Sequence, residues 1–336
     1  MGFNVDTTSD LSQSELEEVV DLYDVGYPGA GMNYDLLSSN QDNPDDETYV
    51  ISVDADDGER YVAAGRINFS YDDMDAQLSD AVVHPDLRGK GLGKMLFNLR
   101  DNRAKERGNG RVYTWASTEN PAVQHIASEN DYVPSGVELE TVDMQGDKVQ
   151  NILMVDPDTL TGRSDTLYAP DSVTEVMESF LDGTELGENA DREVSSIDMD
   201  SAGESGYLVS AERALKGSIS FGIGPVEEGR SLERENVFRR VDSGTIQDAI
   251  SDLPYNVPTK VAVNVNNPES ASEIEAITEI GYRPTALHLD NPLSTDSEKE
   301  VHDQLIFEEI KDDRSLETTD DIADWLEGVE TPAKPK

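Results

Sequence analysis

The sequence predicts an α/β (α+β) chain in which one architecture is built twice in tandem. Three observations carry this. A strand ending at Val83 runs through a proline into a loop of alternating glycines, Gly89, Gly91 and Gly93, and then into a helix. The first half alternates helical and strand periodicity in the order ααβββαβαβ. The second half repeats part of that order with similar punctuation.

Taken in turn, Ser12-Gln13-Ser14-Glu15 opens a helix as a capping box, and Leu16, Val19, Val20 and Tyr23 give it an apolar face. A Gly/Pro/Asn loop, Gly26 to Pro44, follows, with a short helix near Asp35–Ser38. Thr48–Asp54 and Tyr61–Tyr71 read as strands joined by the turn Asp56-Asp57-Gly58, and Gln77–Val83 as a third strand. After the glycine loop come a helix over Lys94–Arg107, a strand over Arg111–Ala116, a helix from Asn120-Pro121 to about Glu129, and a strand over Tyr132–Val142. In the second half, VYTWASTENPAVQHIASENDYVPSGVEL from Val112 is echoed by VAVNVNNPESASEIEAITEIGYRPTALHL from Val261, each running strand, Asn-Pro, helix, aromatic, Pro, strand. Asp156–Asp165 reads as a polar linker and Gly183–Arg192 as a loop or boundary. Ile322, Trp325 and Leu326 give 319–328 a short amphipathic helix, and 331–336 is a Pro/Lys tail. The expected domains are 1–150, 165–295 and a helical extension with tail over 296–336.

The glycine loop is built for a pyrophosphate. Glycines let backbone N–H groups converge on an anion, and the helix start adds orphan donors and the positive end of its dipole. Arg88 and Lys90 add mobile charge. A Walker loop requires four residues before Gly-Lys-[Ser/Thr], and Gly93-Lys94-Met95 lacks both the spacing and the hydroxyl. A dinucleotide fingerprint requires a third Gly where Lys94 stands. An ordinary glycine-rich turn before a core helix is the plain alternative.

Val83, Pro85, Arg88, Gly89, Gly91 and Gly93 form V-x-P-x-x-R-G-x-G-x-G, which resembles the acyl-CoA-binding loop of the GNAT acetyltransferases. Asn120-Pro121 lies where that family carries Asn-Pro. The resemblance covers about residues 3–145 and implies a mixed central sheet flanked by helices, with Phe3–Val5 as a first strand. It implies acetyl-CoA as cosubstrate, held by Val82, Val83, Arg88, Gly89, Lys90, Gly91, Leu92, Gly93, Lys94 and Asn120, with the Val83 backbone as oxyanion donor, and no metal. The family's usual acid, a Tyr seven residues after the Asn, is Ala127 here, and its usual Glu is Gln77. His84 and Asp75 remain as candidate bases: His84 has the right chemistry near neutrality, and Asp75 shares the strand parity of Val83, which Asp80 does not. In the second half, Val226–Arg230 lacks the alternating glycines and carries two carboxylates, so that half is expected not to bind CoA.

Acidic residues number 71 against 26 basic ones, a formal charge of −45, with a pI near 4.1. Such a surface repels nucleic acid and anionic membranes, and it suits the cytoplasm of a halophile. There are no cysteines and only four histidines, without ligand spacing. No apolar run approaches the roughly 18 residues of a membrane span, and the N-terminus lacks a signal peptide's pattern. The resulting expectation is an acetyl-CoA-dependent N-acyltransferase acting on an amine-bearing small molecule, peptide or protein, with homo-oligomers or larger assemblies left open. The alternative is a non-catalytic tandem module in a surface or virion assembly.

Unscreened, so large a charge repels itself, while molar salt shortens the Debye length to roughly 3 Å. Circular dichroism during dialysis from molar KCl to low salt should show loss of structure. A melting temperature indifferent to salt would contradict the halophile reading.

Overall fold

The computed structural model describes residues 2–28, 32–41, 43–55, 58–70, 75–107, 110–118, 121–142, 148–160, 166–182, 192–197, 206–213, 219–225, 237–242, 259–266, 268–279, 281–292 and 301–309. The chain divides into two compact units. The first comprises Met1–Tyr132, Val142–Val149 and Met154–Thr159; the second comprises Val133–Thr141, Gln150–Leu153 and Leu160–Lys336.

The first unit holds strands β1 (Phe3–Thr7), β2 (Asp46–Ala55), β3 (Gly58–Ser70), β4 (Asp75–Val83) and β5 (Arg111–Ser117). β1 to β4 pair antiparallel in chain order, and β5 runs parallel to β4. Helix α1 (Gln13–Gly26) opens at Ser12, whose N–H donates to Glu15 Oε2 at 2.7 Å. With α2 (Tyr34–Gln41) it covers one face of the sheet. Leu16, Val19, Leu22, Tyr23 and Leu37 pack there on Val50, Tyr61, Ala64 and Val82. Helix α3 (Leu92–Arg107) covers the other face, where Leu92 and Leu96 meet Ile51, Val53 and Ala63. The alternation of a strand explains the split: Val82 faces α1 and Val83 faces α3. Helix α4 (Pro121–Ser128) follows β5. This mixed sheet between helices is the arrangement that the resemblance implies.

Two strands span the division: β6 (Val133–Val142) and β7 (Lys148–Val155). The second unit adds β8 (Thr166–Pro170), α5 (Asp171–Asp182), β9 (Glu193–Ile197), β10 (Gly206–Arg213), β11 (Ile219–Pro225), β12 (Val237–Asp242), β13 (Thr259–Asn264), α6 (Ala271–Glu279), β14 (Tyr282–Pro292) and β15 (Val301–Glu309). Its sheet runs β6-β14-β15-β13-β11-β10-β12. β10 and β11 are antiparallel, and β11 and β13 are parallel. β6 meets β14 at Gly136, where a Cβ would lie 2.0 Å from that of Ala286, so no larger residue fits.

The packing therefore divides elsewhere than at 150 and 295. β15 lies in the stretch expected to be a helical extension, yet it is a strand between β13 and β14. Its Asp303 is fully buried and pairs with Arg192 at 2.9 Å and Asn266 Nδ2 at 2.9 Å. A carboxylate in the middle of a core strand hides the apolar alternation. Asn120, Val226–Arg230, 319–328 and 331–336 lie outside the described residues.

Glu47 on β2 links the first sheet to the last turns of α3. Arg103 grips both its carboxylate oxygens at 2.8 and 2.7 Å, and Arg107 Nη1 lies 3.2 Å away. Burial pushes the Glu47 carboxyl up, but the two guanidiniums outweigh it and hold it below the ordinary carboxylate value. A depressed carboxylate stabilises above its unfolded value of 4.5 and loses that contribution as pH falls through the lower folded one. Glu47→Gln should therefore lower the urea midpoint at pH 7, with the gap from wild type closing towards pH 3. A gap constant across that range would show that the ion pairs contribute nothing.

Candidate active site

The site is built where β4 and β5 part. Their pairing runs from Asp75↔Arg111 to Leu78↔Thr114, and the Thr114 hydroxyl donates to Leu78 O at 2.8 Å at the last paired step. Beyond it, Ser79–Val83 and Trp115–Ser117 are not paired with each other. Just past the vertex β4 carries a bulge. Arg66 pairs with Ser79 and Ala64 with Val82, so Asp80 and Ala81 together oppose Gly65. Asp80 sits at φ 50°, in the left-handed region.

The bulge decides what faces the opening. The His84 N–H donates to Val62 O at 2.9 Å, which makes Val62 and His84 a hydrogen-bonded pair. The neighbouring pair, Ala63 and Val83, is then the non-hydrogen-bonded kind. Its main-chain groups point away from β3, so the Val83 N–H is directed into the gap left by β5.

At the mouth of that gap lies the glycine loop. Gly89 and Gly91 have φ of 71° and 83°, with no atom within 4 Å of a built Cβ, so they are glycines for their backbone angles. Gly93 differs: its Cβ would sit 3.3 Å from Ile126 Cδ1, so it allows α3 and α4 to approach closely. The helix starts at Leu92, two residues earlier than its periodicity suggests. Met95 N–H makes the first bond, to Gly91 O at 2.9 Å, leaving the amides of Leu92, Gly93 and Lys94 without an intrahelical acceptor. Leu92 itself is buried, while Arg88–Gly91 and Lys94 are exposed. Orphan amides, two left-handed glycines and a helix dipole at the open end of a split sheet form an anion cradle.

Residues 16–129 match the Acetyltransferase (GNAT) family. The chain contains a GNAT acetyltransferase domain. Similar solved structures include the ribosomal-protein-S18-alanine N-acetyltransferase of Escherichia coli (14% identity, 46% of this chain, 92% of that one, TM-score 0.39). Others are a probable acetyltransferase from Staphylococcus epidermidis ATCC 12228 (14%, 46% and 98%, 0.39) and a chimera of the Vibrio cholerae spermidine N-acetyltransferase SpeG with hSSAT (16%, 46% and 95%, 0.38). No curated protein matches the sequence.

Within the GNAT domain the basic residues of the loop are less mobile than their sequence suggests. Arg88 turns inward: its Nη2 donates to Gly26 O at 2.6 Å and its Nε to Val83 O at 3.2 Å. It ties the loop to the end of α1, where carbonyls carry the negative end of the helix dipole. Lys90 donates to Asp86 O at 3.3 Å, and Lys94 pairs with Glu129 at 3.0 Å.

The bulge and the ion pairs rearrange the expected bases. Asp75 stands at the far end of β4, roughly 25 Å along the strand from Val83, buried against Arg111 at 2.9 Å. The geometry makes it a structural partner. The parity argument that favoured it over Asp80 fails because the bulge shifts the alternation by one residue. Asp80 instead brings its carboxylate to the Ser79 hydroxyl at 3.3 Å and to Arg66 at 2.9 Å. His84 has Asp86 N–H 3.3 Å from Nδ1 and Arg60 Nη2 2.7 Å from Nε2. Both neighbours are N–H donors, and a neutral imidazole accepts at one nitrogen only. The shorter contact, to a guanidinium that can only donate, takes the Nε2 lone pair, and the proton sits on Nδ1. The 3.3 Å approach of Asp86 N–H is then a contact without a hydrogen bond. Ala127 is fully buried. Tyr132 is a core residue: its hydroxyl donates to Asp101 Oδ1 at 2.8 Å, and its ring stands edge-on to Phe97. Among the described residues, no group of three or more His, Asp or Glu could hold a metal ion, and no helix is long and apolar enough to cross a membrane.

Sequence reasoning misses the groups beneath the bulge, Arg100 and Tyr23. The signal for the first was a basic residue in the stripe Leu92, Leu96, Arg100, Ala104.

Arg88→Ala should cost about 1 kcal/mol through its lost charge-assisted bonds and speed amide exchange at Tyr27, whose N–H closes α1 on Tyr23 O at 2.7 Å. Unchanged exchange there would show that Arg88 does not anchor α1.

Proposed function

We propose that this chain is an acetyl-CoA-dependent N-acyltransferase that acetylates an amine. The observation that carries the reading is the amide cradle of Gly89–Lys94 opening onto a strand whose Val83 N–H faces the gap between β4 and β5. The family's enzymes use acetyl-CoA as cosubstrate, and the residues fit it. The amides receive the pyrophosphate, and the pantetheine arm lies along the exposed edge of β4. The thioester carbonyl reaches the Val83 N–H, a fixed donor for developing negative charge. The amine nitrogen forms the new C–N bond, the C–S bond breaks, and its electrons leave with the CoA sulfur. Asp75, Asp80 and His84 are engaged by Arg111, Arg66 and Arg60. The amine's proton therefore passes to water along β4, and with Ala127 in the place of a tyrosine the thiolate takes its proton from solvent. The −45 charge favours a cationic acceptor.

The second unit is read as a GNAT-like copy that does not bind CoA. Its antiparallel β10–β11, parallel β11–β13, then α6 and β14 follow the order of β3–β4, β4–β5, α4 and β6.

Calorimetric titration with acetyl-CoA in molar KCl tests the site. Gly91→Ala introduces the φ strain of about 1 kcal/mol, and Gly91→Asp adds a like charge against the pyrophosphate. The Asp variant should bind at least about tenfold more weakly than the Ala variant, ~1.4 kcal/mol. Equal affinity in wild type and Gly91→Asp would remove the loop assignment. Binding without acetyl transfer to a broad amine panel would leave a CoA-binding module.

A further inference from the structure

The apolar stripe of α3 is interrupted by a cation. Leu92, Leu96 and Ala104 are buried at four-residue spacing, and Arg100 occupies the position between the last two while itself only 3% exposed. A leucine would fill such a place at far less desolvation cost than a guanidinium. The cation is therefore held for the groups it meets. Its Nη1 donates to Ser79 O at 2.8 Å and to Arg66 O at 3.2 Å, and its Nε to Leu96 O at 3.3 Å. Ser79 and Arg66 are the last pair before the β4 bulge. The room comes from Gly65, where a Cβ would lie 3.0 Å from the Arg100 guanidinium carbon.

From the opposite face α1 reaches the same turn of chain. The Tyr23 hydroxyl donates to Asp80 O at 2.7 Å, and Arg66 pairs with the Asp80 carboxylate at 2.9 Å. Two successive carbonyls of the bulge are thus held from opposite sides of the sheet, one by each helix layer. Burial lowers the Arg100 guanidinium to about 10, so it keeps its charge at neutral pH.

Resting on the acyltransferase reading above, we infer that Arg100 and Tyr23 are positioning residues that lock the β4 bulge so that Val83, and not Val82, presents its N–H to the thioester carbonyl. Continuing the register from Arg66↔Ser79 without the bulge would bring Val82 opposite Ala63 and turn the Val83 N–H towards β3. Arg100 belongs to the helix whose first amides form the pyrophosphate cradle. It therefore sets the direction of the Val83 N–H from beneath, without touching acetyl-CoA or the cradle amides.

The test uses the full chain in molar KCl with carbonyl-¹³C acetyl-CoA as probe. Calorimetry reads affinity, and infrared difference spectra read the bound thioester carbonyl. In wild type the band should lie below its position in water, because a fixed N–H polarises the carbonyl. Arg100→Met keeps the stripe apolar and should bind acetyl-CoA with nearly wild-type affinity while losing that downshift, and Arg100→Lys should restore part of it. Tyr23→Phe removes one hydroxyl from the other face and should reduce the downshift, so the idea remains testable if Arg100→Met fails to fold. A wild type that does not bind acetyl-CoA overturns the acyltransferase reading itself. A wild type that binds without a downshift removes the Val83 donor and with it the positioning role, while variants that keep the full downshift overturn the positioning role alone.

Discussion

One extra residue in one strand controls the first unit. The bulge at Asp80 and Ala81 changes the parity of β4 a few residues before its end. It places Val82 under α1 and Val83 under α3, and it turns a peptide N–H out of the ladder. A bulge leaves main-chain groups unpaired, and buried unpaired groups are costly. The partners supplied here are a guanidinium from α3 and a phenol from α1. Tyr23 shows how dry that environment is, since burial pushes its hydroxyl far above the ordinary tyrosine range.

The parting of β4 and β5 follows from the same region. Thr114 closes the vertex on Leu78 O, and the two strands then end in different elements, β4 in the glycine loop and β5 ahead of α4. Gly93 lets those two helices lie close together. Arg88 returns from the loop to Val83 O and to the last carbonyl of α1. The cradle, the strand end and the helix over the opposite face are thereby mechanically one piece.

The glycine loop was legible because its residue types admit few conformations. Left-handed φ at Gly89 and Gly91 and a helix start within three residues leave little else to build. The order of strands and helices from α1 to β6 was legible from periodicity, and β1 from the resemblance. The bulge was not: parity arguments assume an unbroken strand, and neither Asp80 nor Gly65 advertises an insertion. Arg100 was hidden for a related reason, since a basic residue on a helix is ordinarily taken as solvent-facing. β15 was missed because Asp303 stands where an apolar residue would mark the core. The roles first given to Asp75, His84 and Arg88 depended on partners, Arg111, Arg60 and Gly26 O, that are distant in sequence.

The cradle consists largely of peptide dipoles, and its two lysines already have partners. That matters for how an anion would arrive. At long range the surface of this chain repels any phosphate, and no cluster of free charge at the loop draws one in. Dipoles act only at contact, and their hydrogen bonds are little affected by the salt that screens the repulsion. An anionic ligand would therefore be captured faster as ionic strength rises, the reverse of electrostatic steering, and recognition would be confined to the last few ångströms of approach.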